Sequence, residues 1–359
     1  MQYGQQHVTD SLRSDLAEIT ETSRAELERL VNSSVVITGA TGFVGTWLVL
    51  SWVQARKLLN GTGHLIVTSR SPELIRPLVE EIDTNSAVTY IASDITTLQL
   101  PVGFVDGYVI HAATPASAFL NATNPSKMLD VIISGQRQII AESVRTKSRL
   151  LFLSSGAVYG QQPLHVEHLP ETWEGAPNIN KSESAYHEGK RVAELMANIA
   201  RDHEELDFVT ARLFAFLAPF LPFDTHFAAG NFLKDALANN PIIINSGGGS
   251  IRSYQYGSDL ASSVWKLLLH GRSGHAYNVG SDESISIRDL AHTVAAQAGS
   301  STEVQILGVD TSDNVSRYVP SLDKINNELQ VRNKVDVVEA IRRTSLWAIQ
   351  SSQKEKNEH

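Results

Sequence analysis

The chain has 359 residues, 30 Lys and Arg against 39 Asp and Glu for a formal net charge of −9, 42% hydrophobic residues and no cysteine. That length and apolar content exclude disorder as a description of the whole and predict two packed units, because single cores stop growing near about 250 to 300 residues. The missing thiols exclude disulfides, thiolate nucleophiles and iron–sulfur clusters, the negative balance argues against nucleic acid, and no apolar run is long enough for a membrane, so a cytoplasmic protein is expected.

Leu12, Leu16, Ile19, Leu27 and Leu30, set among acids and hydroxyl residues, predict one amphipathic helix over 10–31, so that residues 1–32 read as an N-terminal helical extension packed on the body or on a partner. From Val35 the chain alternates: VVIT (35–38), a Gly-rich turn, a helical stretch to Leu59, HLIVTS (64–69), a helix over 72–82, then VTYIAS (88–93). Further apolar runs, GYVIHAA (107–113), RLLFLSS (149–155) and DFVTARLF (207–214), are separated by helix-length segments. Strands apolar on both faces and joined by helices predict an α/β fold with a doubly wound parallel sheet over 33–215, later returns of the chain allowed. The Pro- and Gly-rich stretch 216–349 reads mainly as a smaller C-terminal lobe, with LFAFLAPFLPF (213–223) as a buried connection, and the polar segment 350–359 as a flexible tail.

Gly39, Gly42 and Gly45 in VVITGATGFVG follow a strand and open a helix. Glycines there allow a tight turn, close approach of backbone to a pyrophosphate and close helix–strand packing, and the helix N-terminus attracts the anion. The alternative is a tight turn without a ligand. The second strand ends in Thr68, Ser69 and Arg70, with no carboxylate for a ribose hydroxyl, and Arg70 can pair with a 2′-phosphate, which favours NADP slightly over NAD. Asp94, followed by Ile95, ends the third strand, placed both to meet an adenine edge and to cap the next turn.

Tyr186 and Lys190 stand four apart in SAYHEGKRVAE, on one face of a helix. An ammonium there lowers the pKa of a phenol towards working pH, and Tyr186 can then exchange a proton with a sugar hydroxyl. Ser155, at the end of a buried strand, can donate a hydrogen bond to the same oxygen as it becomes a carbonyl. His111 reads equally as a cofactor-edge or a core residue, His187 has no role, and His226 is a guess for the sugar pocket. Asp259 is expected to cap the helix entering LASSVWKLLL, and no histidine spacing suggests a metal site.

TGATGFVG, the SDI element with Asp94, HAAT (111–114), SSGAVYG (154–160), YHEGK (186–190) and GGGSIRSYQYGSDLA together resemble the extended short-chain dehydrogenase/reductases of the epimerase/dehydratase family, over roughly residues 33–345. The resemblance implies a Rossmann domain and a nucleotide-diphosphate sugar as substrate. It implies cofactor contacts at Gly39, Gly42, Phe43, Val44, Gly45, Asp94, Ile95, Ala112, Ala113, Tyr186 and Lys190, and a catalytic set of Ser155, Tyr186 and Lys190. Asn231, opening a helix, and Arg252 match family positions that hold the diphosphate. A homodimer through helices near 126–146 and 186–203 is implied too.

The 4,6-dehydratase branch follows its catalytic Ser/Thr with Asp and Glu, and the decarboxylase branch keeps a Glu where this chain has Ala157. Gly156 and Ala157 cannot move a proton. Hydride transfer at C4, as 4-epimerisation or 4-keto reduction, is therefore the expectation. The alternatives are a dehydratase or decarboxylase that draws its acid from elsewhere, and a non-catalytic dinucleotide-binding regulator.

Overall fold

The computed structural model describes residues 6–114, 117–223, 228–298, 302–311 and 315–358. In chain order the elements are α1 (Asp10–Thr22), α2 (Arg24–Leu30), β1 (Ser34–Thr38), α3 (Phe43–Leu59), β2 (His64–Ser69), α4 (Arg76–Ile82), β3 (Val88–Ala92), β4 (Tyr108–His111), α5 (Ala118–Thr123), α6 (Pro125–Arg145), β5 (Arg149–Ser155), α7 (Ala185–Glu204) and β6 (Phe208–Leu213). The second half adds α8 (Ala228–Leu237), β7 (Ile242–Ile244), β8 (Ile251–Ser253), α9 (Gly257–His270), β9 (Ala276–Val279), β10 (Ser284–Ser286), α10 (Ile287–Gln297), β11 (Val304–Ile306), β12 (Arg317–Tyr318), α11 (Asp323–Leu329) and α12 (Val337–Glu358).

Seven parallel strands form the main sheet in the order β3-β2-β1-β4-β5-β6-β9. Its two faces are read directly from β1: Val35 and Ile37 enter the core shared with α3, α4 and α9, while Val36 enters the core shared with α6 and α7. Alternate residues of a strand point to opposite faces, and here both faces are covered, which is why the central strands carry unbroken apolar stretches such as Val35–Ile37 and Leu150–Leu153. The chain thus returns to the first sheet at β9. A three-stranded sheet, β10-β8-β12, and a two-stranded one, β11-β7, lie in the C-terminal half.

Helix α3 is apolar on nearly every side, with Trp47, Leu48, Val49, Leu50, Trp52 and Val53 all fully buried. A helix of that kind needs cover on its outer face as well. The N-terminal segment supplies it: Leu12, Leu16, Ile19, Leu27 and Leu30 are fully buried, and Trp52 Nε1 donates to the Leu30 carbonyl at 3.3 Å. The single helix expected over 10–31 is broken at Ser23 (φ −113°, ψ 31°), after a Thr-rich stretch of weak helix formers, and the bend lets α2 reach α3.

Residues 350–358 do not fray as expected but continue α12. Tertiary contacts hold this polar segment: Ser351 is fully buried, Ser11 Oγ donates to Gln350 Oε1 at 2.8 Å, and Lys354 pairs with Glu81. No helix among the described residues is long and apolar enough to cross a membrane.

Candidate active site

The chain leaves β1 at Thr38 and turns at Gly39, whose φ of +65° lies in the left-handed region. A Cβ on Gly39 would fall 2.6 Å from the Ala112 carbonyl oxygen, and one on Gly45 would fall 2.3 Å from the Gly39 carbonyl oxygen. Gly42, the N-cap of α3, is different: a Cβ there would meet only the Gly39 oxygen, at 3.3 Å. Two glycines therefore close the turn, and the middle one leaves the helix N-terminus open. No acidic side chain stands in the first turn of α3 to oppose an anion, and Phe43 and Val44 contribute the first helical N–H groups. These residues fit a dinucleotide's diphosphate. Thr38 Oγ1 accepts from the N–H groups of both Ala112 and Ala113 at 3.2 Å, fixing the end of β4 beside the turn.

Arg70 is exposed just past β2. Asp94 caps the short turn Ile95–Thr97, its Oδ1 accepting from Thr96 N at 2.9 Å and Thr96 Oγ1 at 2.7 Å. Those two bonds, with the charges of Arg70 and Lys127, hold its carboxyl below the usual range.

Ser155 ends β5, its Oγ accepting from the Ala157 N–H at 3.1 Å, and Tyr186 and Lys190 project from α7. Lys190 is 2% exposed, and its Nζ donates to Thr114 Oγ1 at 2.8 Å and the Leu153 carbonyl at 2.7 Å. The segment 112–114 thus touches the glycine turn at one end and Lys190 at the other, which brings the two motifs together. Burial pushes Lys190 down to about 7, with Glu194, one turn on, acting the other way. The expected lowering of the phenol by Lys190 is absent in the chain alone: burial holds Tyr186 above the usual tyrosine value, with the Ser155 side chain acting the other way.

Sequence reasoning missed what aligns these groups. Ser154 Oγ donates to Glu194 Oε1 at 2.6 Å, Arg212 grips Glu194 through Nη2 at 2.7 Å and Nε at 3.1 Å, and Arg212 Nη1 donates to Tyr159 Oη at 2.9 Å. Tyr159 in turn donates to Asn278 Oδ1 at 2.7 Å. The network ties α7 to β5, β6 and β9 in the interior, where a bidentate, buried ion pair is geometrically demanding. The available signal was Glu194 at i+4 from Lys190. Tyr318 was missed too: its ring stacks on Phe214, and a Cβ on Gly156 would stand 2.6 Å from its hydroxyl.

His111 is a core residue: buried, bonded through Nδ1 to Thr38 Oγ1 at 2.9 Å, and stacked on Phe152, with burial pushing it down to about 3. His187 sits edge-on to Tyr186, and His226 lies outside the described residues.

Asn231 does not open its helix as expected, since α8 starts at Ala228 and places it inside the first turn. It lines a cleft of about 560 Å³ together with Phe232, Asp235, Asn245 and Ser246. Arg252 on β8 donates to the carbonyl and hydroxyl of Ser316 at 3.1 and 2.9 Å, and burial lowers its pKa. Asp259 does not cap α9, whose N-cap is Tyr256. Its carboxylate accepts instead from the N–H groups of Lys334 and Val335, at 3.1 and 3.0 Å, because the chain after α11 packs against that end of the helix. Among the described residues no group of three or more His, Asp and Glu could hold a metal.

The sequence profile described as the NAD dependent epimerase/dehydratase family matches residues 35–280. UDP-glucuronic acid decarboxylase 5 of Arabidopsis thaliana is 26% identical over 311 residues, covering 86% of this chain and 87% of that protein. Among solved structures, a UDP-glucose 4-epimerase of Thermotoga maritima with UDP-glucose superposes with a TM-score of 0.74 at 20% identity, over 89% of this chain and 99% of that one. A dTDP-glucose 4,6-dehydratase of Bacillus anthracis in complex with NAD gives 0.72 at 17% identity, over 91% and 97%.

Proposed function

Because the chain belongs to the NAD dependent epimerase/dehydratase family, we propose that it moves a hydride at C4 of a nucleotide-diphosphate sugar, as a 4-epimerase or a 4-keto reductase. The observation that carries this reading is the placement of Ser155 at the end of β5 and of Tyr186 and buried Lys190 on α7, joined to the glycine turn through residues 112–114. A nicotinamide dinucleotide, when bound, supplies the hydride acceptor or donor. Tyr186 takes the C4 hydroxyl proton, or returns it, while Ser155 donates to the same oxygen as its charge changes. Lys190, on the same face of α7, ties Thr114 to the Leu153 carbonyl, and with its value near 7 its charge is complete only below neutrality. The second unit, mainly residues 216–349, holds the nucleotide sugar, with Asn231 and Arg252 as donors to the diphosphate.

Arg70 supports NADP, since no carboxylate ends β2, while the nearby charge of Asp94 works against a 2′-phosphate. Mass spectrometry of the ligand that copurifies separates the two: retained NAD favours epimerisation, and exchangeable NADPH favours reduction. The test of the reaction is purified protein against a panel of nucleotide sugars, read as interconversion of C4 epimers or as a change in nicotinamide absorbance with a 4-keto sugar. Tyr186→Phe is expected to lower kcat by about a hundredfold or more. Full rate in that variant overturns the assignment of Tyr186, and cofactor binding without turnover across the panel favours a regulator.

A decarboxylase reading is favoured by the sequence relatives. It is opposed by Ala157, which leaves no carboxylate after Ser155, and release of carbon dioxide from a nucleotide-linked uronic acid decides it. The strip Val192, Leu195 and Ile199, exposed on α7 at 36%, 58% and 49%, supports association with a second copy of the chain.

A further inference from the structure

Gly156 follows Ser155 without a left-handed backbone angle, so space rather than conformation keeps a side chain from this position. A Cβ there would stand 2.6 Å from Tyr318 Oη and 2.6 Å from Phe214 Cζ. The two rings stack with centroids 4.5 Å apart, and together they fill, from β12 and from the end of β6, the room that a side chain at 156 needs. Tyr318 also belongs to the small sheet. It pairs in register with Arg252 of β8, whose other neighbour is Ile285 of β10, and paired residues of adjacent strands point to the same face. Its backbone therefore stands beside Arg252 and its hydroxyl beside the residue after Ser155. A sugar whose diphosphate is held by Arg252 and whose C4 lies at Ser155 and Tyr186 runs along this phenol.

The wall it makes is uncharged. Burial keeps the phenol protonated against the pull of Arg252, and its hydroxyl reaches the Leu213 carbonyl only at 3.5 Å, the outer limit for an O–H···O bond, so it can still donate to a sugar hydroxyl. Three cations stand around the wall and each has partners: Arg212 holds Glu194 and Tyr159, Lys190 holds Thr114 and the Leu153 carbonyl, and Arg252 holds Ser316. A uronate carries its carboxylate on C5, one bond from the reacting carbon, and would set that charge against Tyr318 and Phe214. We infer that Tyr318, backed by Phe214, is a specificity-determining residue: it places a neutral phenol where a side chain after Ser155 would otherwise stand, admits a hexose with an uncharged group on C5 and turns away the matching uronate. A carboxylate moved from water to such a wall without a new cation loses its solvation and gains nothing in return.

This deepens the proposed function and rests on its placement of the sugar, and its test is read as binding before it is read as turnover. Tyr186→Phe protein loaded with NAD or with NADP is titrated by calorimetry with glucose and glucuronic acid, each linked to UDP, dTDP, GDP or CDP. The hexose is expected to bind at least about thirtyfold more tightly than the uronate on the same nucleotide. Adding Tyr318→Phe, which keeps the ring on Phe214 and removes only the hydroxyl, is expected to weaken the hexose about three- to tenfold and to leave Tm within about two degrees. Tyr318→Lys, which sets a cation in the wall, is expected to narrow the ratio at least about tenfold. Equal or tighter binding of the uronate, an unchanged hexose Kd in Tyr318→Phe, or an unchanged ratio in Tyr318→Lys overturns the inference and leaves the proposed site standing. No binding of either sugar on any of the nucleotides removes the proposed site, and the inference with it. Where the parent turns a hexose over, Tyr318→Phe is expected to raise KM with kcat nearly unchanged. Loss of kcat alone makes Tyr318 something other than a wall and overturns the inference too. If the binding preference appears and no nucleotide sugar reacts, the specificity role stands and the proposed reaction falls.

Discussion

Lys190 keeps an ammonium where water does not reach it, with two hydrogen bonds and the ring of Phe152, 4.7 Å from Nζ, as its surroundings. Its folded value near 7, against an ordinary 10.5, means that the unfolded chain holds the proton more tightly. The resulting cost to the fold, on the order of 4 kcal/mol, is full below pH 7 and fades as pH rises towards 10.5. Lys190→Met is therefore expected to stabilise the cofactor-free protein, offset in part by the lost bonds, and to do so more at pH 7 than at pH 9. Denaturant unfolding at the two pH values checks this, and an equal or smaller gain at pH 7 contradicts it. Ser155, Tyr186 and Lys190 were legible in the sequence because their spacing and their place at a strand end and on a helix face are local properties. The direction of the Tyr186 pKa was not legible, since it depends on burial, and Tyr318 and Arg212 were not, since strands far along the chain deliver them.

The glycine turn shows what one element contributes when three similar residues do different things. Gly45→Ala sets a methyl 2.3 Å from a backbone oxygen, and neither the helix nor the turn can move away cheaply. Overpacking of this kind costs roughly 1 to 3 kcal/mol or more. Gly42→Ala meets its nearest atom at 3.3 Å, which a small shift relieves. The expected outcome is that Gly45→Ala lowers Tm by several degrees, whereas Gly42→Ala leaves Tm within a degree or two and weakens dinucleotide binding about tenfold by filling the open helix end. Thermal melts and a binding titration separate them, and equal losses of stability from the two would contradict the division of roles. The strand–turn–helix pattern was readable because hydrophobic period and glycine spacing are both local. The break at Ser23, the early start of α8 and the helical continuation of α12 to Glu358 were not, because tertiary packing decides them.

Across the whole molecule the two ends of the chain close over the same face of the sheet. Asp15 on α1 accepts from Tyr256 at 2.5 Å and from Arg343 of α12 at 2.7 Å, and Trp347 Nε1 donates to the His7 carbonyl at 3.2 Å. That face is thereby covered twice, by α3 and α9 and then by the terminal helices. On the opposite face α6 and α7 form the outermost layer, with Gly189 admitting Ile132 to close contact between them. Helix α7 buries Lys190, Ala193, Ala197 and Ala200 inward and presents Val192, Leu195 and Ile199 outward, at i, i+3 and i+7. An apolar stripe at that spacing matches the stripe of a second helix, and a twofold pairing brings the same residues of both copies together. Light scattering of the purified protein is accordingly expected to give twice the 39.3 kDa of one chain. Leu195→Glu, which places a charge in the stripe without disturbing the inward face, is expected to give the single-chain mass with the far-ultraviolet dichroism of the parent. A single-chain mass for the parent at micromolar concentration, or a dimer that survives Leu195→Glu, would leave the stripe without this role.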